Sequence, residues 1–284
     1  MTQIAYVNGR YVLKNKALVH IDDRGYQFSD GVYEVIAVMN SHLIDIEAHL
    51  DRLNHSLSSL NIDWPCNRRV VNLILKTVLK RNHLKNGIIY LQITRGVAQR
   101  IHEFPSKSTK PSLIVTAAHN DFFSQNIHPF GAKVVTIKEN RWSRRDIKSV
   151  SLLPNVLNKQ FAIDKGAYEA WMVDEKSQIT EGASTNAWIV NHDDQLVTRP
   201  LGPEILGGIT RMRIIDLALK NNLNVLEKGF TLQEAQKAKE AFLTSTTSLV
   251  MPVIEIDGVK IGNGKVGNIS QKLLELYKEY ILDN

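Results

Sequence analysis

The sequence predicts a two-domain α/β (α+β) protein, and three observations carry that expectation. The chain has 284 residues, more than a single hydrophobic core usually serves. Residues 1–118 alternate strand patterns with two amphipathic helices, which makes a smaller N-terminal α/β domain. Residues 129–284 space short apolar runs between polar turns, which makes a larger, barrel-like α/β domain with helices outside. An interdomain linker falls at 119–128.

Each element has a local reason. Ile4 to Leu13 alternates around Asn8-Gly9, a strong hairpin signal. Asp22-Asp23-Arg24-Gly25 reads as a turn. Gly31 opens a β-branched, apolar strand to Met39, with Tyr33 and Val35 on one face and Glu34 and Ile36 on the other. Leucines 50, 53, 57 and 60 recur at helical spacing from Glu47 and carry Arg52 with them. Asn67 caps a second helix that runs through Leu79. Gly87–Thr94 and Ser112–Ala118 read as buried strands, and the polar loop Arg95–Pro111 between them holds Arg100 and His102. Beyond the linker, strands are predicted at Gly131–Ile137, Glu169–Val173, Asn186–Val190 and Gln195–Thr198. Helices are predicted at Pro154–Lys165, Thr210–Asn222, Leu232–Ala238 and Asn268–Ile281.

Composition narrows the function classes. Hydrophobic residues make up 43% and charged residues 23%, ordinary for a soluble globular enzyme. A net charge of +6 invites a nucleic-acid reading, but the Lys and Arg are dispersed and no binding signature accompanies them. The surplus fits small anionic ligands as well. The single cysteine, Cys66, excludes an internal disulfide and suits a reducing cytosol, so a cytoplasmic protein is expected. No apolar run approaches membrane-spanning length, and the N-terminus reads as a polar-flanked strand without a signal-peptide core.

Four stretches can carry chemistry. Lys148 follows the basic cluster Arg141–Arg145 and precedes Leu152-Leu153 and a helix opening at Pro154. A lysine held partly out of water can serve as a nucleophilic amine or proton carrier; read alone, it also fits an ordinary surface lysine. Thr180–Asn186 reads as a polar turn, or as a loop that lets backbone approach a ligand with Glu181 at its entrance. Gly207-Gly208-Ile209-Thr210 is either a flexible loop with Thr210 as N-cap or an anion site at a helix N-terminus. Thr244–Ser248 ends a strand with a run of hydroxyls. No histidines stand at metal-ligand spacing, so no metal is expected, and there is no G-x-S-x-G elbow or complete Rossmann or Walker pattern.

An amine, an acid and phosphate-type loops together suit pyridoxal 5′-phosphate. Here the chain resembles the D-amino-acid aminotransferases among the fold type IV pyridoxal-phosphate enzymes. The matching stretches are Asp23–Phe28, Asp30–Val35, His49–Leu53 and Arg100–His102, then Asp146–Ser149, Glu181–Asn186, Gly208–Arg211 and Thr244–Ser248. The resemblance implies that Lys148, in the larger domain, forms the internal Schiff base and shuttles protons, and that Glu181 pairs with the pyridine nitrogen. It implies that Arg52, the backbone N–H groups of Ile209 and Thr210, and Thr246 bind the phosphate. Tyr33, Arg100 and His102 would hold the substrate α-carboxylate, with the Arg100 loop reaching across a homodimer interface. It implies a broad range of D-amino acids, with D-alanine and 2-oxoglutarate as the usual pair. Arg145, Ser151 and Ala183 depart from the family pattern, which bears on side-chain preference. An aminodeoxychorismate lyase shares the cofactor machinery but eliminates pyruvate. A branched-chain L-aminotransferase or (R)-amine transaminase would lack the paired Arg100 and His102.

Overall fold

The computed structural model describes residues 3–121 and 128–283, and these form two units. Residues 3–121 belong to the first, together with Ile147–Ser151; residues 128–146 and 152–283 belong to the second. The expected linker at 119–128 lies for the most part outside the described residues.

In the first unit, β1 (Ile4–Val7) and β2 (Arg10–Leu13) flank Asn8 at φ 45° and Gly9 at φ 92°. Two positive φ values in succession give a turn whose twist matches that of the strands. The stretch read as a turn at Asp22–Gly25 instead starts a short helix, α1 (Arg24–Phe28). The Asp23 carboxylate accepts the Gly25 N–H at 2.8 Å, so the turn residue acts as a helix cap. There follow β3 (Gly31–Met39), β4 (His42–Leu43), α2 (Ile46–Ser59), α3 (Arg68–Arg81), β5 (Gly87–Thr94) and β6 (Ser112–His119). Asn67 caps α3 through Arg69 N–H at 2.9 Å, as its position in the sequence suggests.

The six strands form one antiparallel sheet in the order β2-β1-β6-β5-β3-β4. On β3, Val32, Glu34 and Ile36 are buried while Tyr33 and Val35 are partly open, the alternation that a two-faced strand requires. Leu50, Leu53 and Leu57 of α2 share a core with Val32 and Ile36. Val71, Ile74, Leu75 and Val78 of α3 extend it.

Sequence reading places Lys148 in the second domain; the structure groups it with the first. The reason is backbone pairing. Tyr33 N–H donates to Lys148 C=O and Val150 N–H donates to Gly31 C=O, both at 3.0 Å, and Ile147 enters the first core.

The second unit contains β7 (Ala132–Lys138), α4 (Leu153–Asp164), β8 (Glu169–Val173), β9 (Ile179–Gly182), β10 (Asn186–Val190), β11 (Leu196–Thr198) and α5 (Ile209–Lys220). It continues with β12 (Val225–Glu227), α6 (Leu232–Gln236), β13 (Glu240–Ser245), β14 (Leu249–Ile256), β15 (Val259–Lys260) and α7 (Asn268–Asp283). Its sheet runs β12-β11-β10-β13-β14-β7-β8-β9, with β15 on β14. Strand β9 ends the sheet, yet only Ala183–Thr185 separates it from β10, near the other end. So short a link obliges the sheet to curl into a half-barrel.

Thr180–Asn186, read as one polar loop, is therefore mostly strand. Thr180, Glu181 and Gly182 lie in β9 and Asn186 opens β10, with the turn closed by Gly182 N–H to Thr185 C=O at 2.7 Å. Pairing with β8 overrides the turn-like composition.

Leu53 is fully buried between α2 and the sheet. Truncating Leu53→Ala is expected to destabilise the fold by about 2–5 kcal/mol, because the cavity cannot collapse between a helix and a sheet. A lowered urea midpoint measures this; an unchanged one would mean that α2 does not depend on that contact.

Candidate active site

Lys148 is half-buried, with both of its backbone groups tied down. Its N–H donates to Ser56 Oγ on α2 at 3.1 Å, and its C=O accepts from Tyr33. The amine thus extends from a fixed point, and Nζ stands 4.2 Å from the Tyr33 ring centroid. Tyr33 in turn stacks on Tyr90 at 5.8 Å. Of the expected substrate residues, Tyr33 accompanies the lysine.

Arg52 lies on the same helix as Ser56 and is largely buried. Its Nε and Nη2 donate to the two oxygens of Glu34 at 2.8 and 2.6 Å, and His49 Nδ1 meets the same carboxylate at 2.7 Å. Burial alone would raise the Glu34 carboxyl, but Arg52 and His49 outweigh it and hold the group down at about 2. Burial pushes His49 down, so its imidazole is neutral at pH 7. The sequence reading names Glu34 and His49 without a role. Their signal is a charge on the apolar face of a strand and an imidazole three residues before Arg52 on one helix face.

Glu181 is the central acid of the second unit. Its Oε1 accepts Arg141 Nη1 at 2.6 Å, and its Oε2 accepts Asn186 Nδ2 at 3.1 Å and Leu206 N–H at 3.0 Å. Burial pushes this carboxyl up, against the pull of Arg141 and Leu206. Arg141 cannot reverse the shift because it is shared: its Nε and Nη2 hold Glu139 at 3.0 and 2.7 Å. Glu139 also accepts Thr180 Oγ1 and falls to about 2. Among the described residues, three donors fill three of the roughly four lone-pair directions of the Glu181 carboxylate, so it can accept one more N–H. Sequence inspection missed Arg141, Glu139 and Asn186 as a set, since their partnership depends on three separate strands and loops.

Helix α5 begins at Ile209 behind its N-cap Gly208, which has no side chain to offer as a cap. The first-turn N–H groups of Ile209 and Thr210 have no partner inside the helix, so they form a donor site with the positive end of the helix dipole behind it. Gly208 is required there: a Cβ would overlap Oδ1 of Asn186, the residue that holds Glu181. Thr246 belongs to the turn between β13 and β14.

Arg100 and His102 are exposed and accompany neither Tyr33 nor Lys148 among the described residues. Both flank the Phe28 ring, with the Arg100 guanidinium 5.2 Å and the His102 ring 5.4 Å from its centroid. Arg24 Nη1 donates to Ile101 C=O at 2.7 Å and fixes the loop between them. No group of three or more His, Cys, Asp or Glu is placed to hold a metal, and no helix is long and apolar enough to cross a membrane, among the described residues.

An anchored amine, a buried acid and a helix N-terminus opened by a glycine are the kinds of group that pyridoxal phosphate requires. The family model of amino-transferase class IV matches residues 31–256. This chain is a class IV aminotransferase. Enzymes of the family depend on pyridoxal 5′-phosphate. A D-alanine aminotransferase of Staphylococcus haemolyticus is 36% identical to the chain over 281 residues, 99% of this chain and 98% of that one. A branched-chain amino acid aminotransferase of Escherichia coli superposes with a TM-score of 0.93 at 22% identity, covering 99% of this chain and 95% of that one. A hypothetical aminotransferase from Mycobacterium tuberculosis, in its PLP-bound form, superposes at 0.86 with 19% identity over 99% of each chain. At such identities the structural likeness speaks for the fold.

The site carries its own pH dependence. Glu34 in the folded aminotransferase titrates at about 2, against 4.5 as its ordinary value. The unfolded chain therefore takes up the proton first as the pH falls. The contribution of Glu34, about 3 kcal/mol, is complete above pH ~5 and is lost on descent through ~4.5 toward ~2. His49, also depressed, adds a loss that starts below its ordinary 6.5. Urea midpoints between pH 7 and pH 3 should fall accordingly; a flat profile would mean that the Glu34 clamp is not ionised in the fold.

Proposed function

We infer that the chain transaminates D-amino acids, converting D-alanine and 2-oxoglutarate to pyruvate and D-glutamate. The observation that carries this reading is the 36% identity to a D-alanine aminotransferase over 99% of the chain, with an anchored lysine amine beside Tyr33. When bound, pyridoxal phosphate supplies an aldehyde for an amine and an electron-withdrawing ring. Lys148 is the catalytic residue: its Nζ would hold the cofactor in the resting enzyme and, once displaced by substrate, would carry the proton between the substrate Cα and the cofactor's C4′. Glu181, with its vacant acceptor position, keeps a proton on the ring nitrogen. Arg52, the N–H groups of Ile209 and Thr210, and Thr246 hold the phosphate.

Tyr33, Arg100 and His102 bind the substrate carboxylate, the last two in trans within a homodimer. Their exposure favours that arrangement. So does the apolar surface beside them, where Leu18, Ile21, Val97, Ile101 and Phe104 on two joined loops and Tyr26 on α1 are exposed. The enzyme works in the cytoplasm, where Cys66 stays reduced.

Purified protein should absorb as a pyridoxal Schiff base and be bleached by D-alanine far faster than by L-alanine. Borohydride should fix the label on Lys148, and Lys148→Ala should abolish turnover. A label on another lysine would remove Lys148 from this role.

Arg100→Ala removes a charged hydrogen-bond donor, so kcat/KM for D-alanine should fall roughly 10- to 200-fold. A substrate amine lacking a carboxylate should be affected far less. Equal losses for the two would show that Arg100 does not read the carboxylate.

A further inference from the structure

Glu34 occupies a place where an apolar side chain would suit the core. It lies on β3 between Val32 and Ile36, all three with 0% exposure, and the leucines of α2 close over the same face. Replacing a buried ion pair by apolar residues of similar volume is often neutral or stabilising, so stability alone does not account for a carboxylate here.

What the carboxylate supplies is geometry. Nε and Nη2 of Arg52 bind one oxygen each, at 2.8 and 2.6 Å, which fixes the guanidinium plane as well as its position. His49 Nδ1, 2.7 Å from Oε2, fixes the carboxylate in turn. Helix α2 presents His49 and Arg52 on one face, three residues apart, and β3 holds Glu34 opposite them. An unclamped arginine spreads over many rotamers and must be ordered each time it meets an anion; this one is ordered beforehand.

We propose that Glu34, steadied by His49, is a positioning residue that orients Arg52 toward the phosphate of pyridoxal phosphate. The proposal rests on the reading of Arg52 as a phosphate ligand. Neutralisation by Glu34 also means that Arg52 contributes direction more than net charge. The phosphate is then recognised by where the N–H groups point.

The test compares dissociation constants of the apoprotein for pyridoxal phosphate and for pyridoxal, which lacks the phosphate. Wild type should prefer pyridoxal phosphate strongly, and Arg52→Ala should lose most of that preference. Glu34→Gln keeps the size but sets an amide N–H against the donors of Arg52 and His49. It should weaken pyridoxal phosphate roughly 10- to 100-fold while leaving pyridoxal little changed. In an Arg52→Ala background the same substitution should add nothing. If wild type shows no preference, or Arg52→Ala retains it, the phosphate reading of Arg52 itself falls. If Arg52→Ala loses the preference and Glu34→Gln keeps it, or Glu34→Gln weakens both ligands equally, the positioning role is overturned. Should Glu34→Gln fail to melt cooperatively, His49 variants decide. His49→Asn retains a donor near Nδ1 and should preserve the preference, whereas His49→Leu should reduce it; equal preference in both overturns the proposal.

Discussion

Strand β3 uses both edges and both faces, and the position of Lys148 follows from that. One edge pairs with β5 from Gly31 to Val38. The other pairs with β4 at its far end and, at its near end, with the stretch around Ser149. Backbone bonds from Tyr33 to Lys148 and from Val150 to Gly31 leave the lysine no freedom of register. One face of the strand then sends Glu34 into the core toward α2, while the other carries Tyr33, whose ring meets the lysine amine. A slip of one residue would exchange these faces, placing a phenol in the core and a carboxylate outside.

Two buried glutamates meet opposite fates because their arginines are deployed differently. Glu34 has Arg52 across both oxygens and His49 in addition, and its carboxyl falls to about 2. Glu181 receives a single N–H from Arg141, whose other nitrogens serve Glu139, and burial lifts its carboxyl. The desolvation is comparable; the number and sharing of charged donors decide the sign. A permanently ionised clamp suits a fixed structural anchor. A carboxylate with an elevated proton affinity and a vacant acceptor direction suits a partner for a protonated ring nitrogen.

A TM-score of 0.93 at 22% identity shows how much sequence this fold tolerates. The residues proposed for the site lie mostly at strand ends, at a helix N-terminus and in loops, where side chains can change without rebuilding the sheets. Gly208 illustrates the constraint, since a Cβ there would overlap Asn186 at the start of α5.

Much of this was legible in the chain itself. Repeating leucines define α2, the Asn-Gly pair defines the first hairpin, and the β-branched run from Gly31 defines β3 with its faces correctly assigned. These signals are local, set by side-chain periodicity and backbone φ preference. The motifs around Lys148, Glu181 and Thr210 were likewise visible as residue types at fixed spacing. Other features were not. Strand β9 looked like a polar loop because its hydroxyls and glycine favour turns, and only pairing with β8 makes it a strand. Lys148 joined the first unit through backbone bonds to residues more than a hundred positions earlier. The role of Arg141 depended on Glu139 and Glu181 converging on one guanidinium. Periodicity acts between neighbours in sequence, whereas pairing, burial and charge sharing act between neighbours in space, and those distances exist only once the chain has folded.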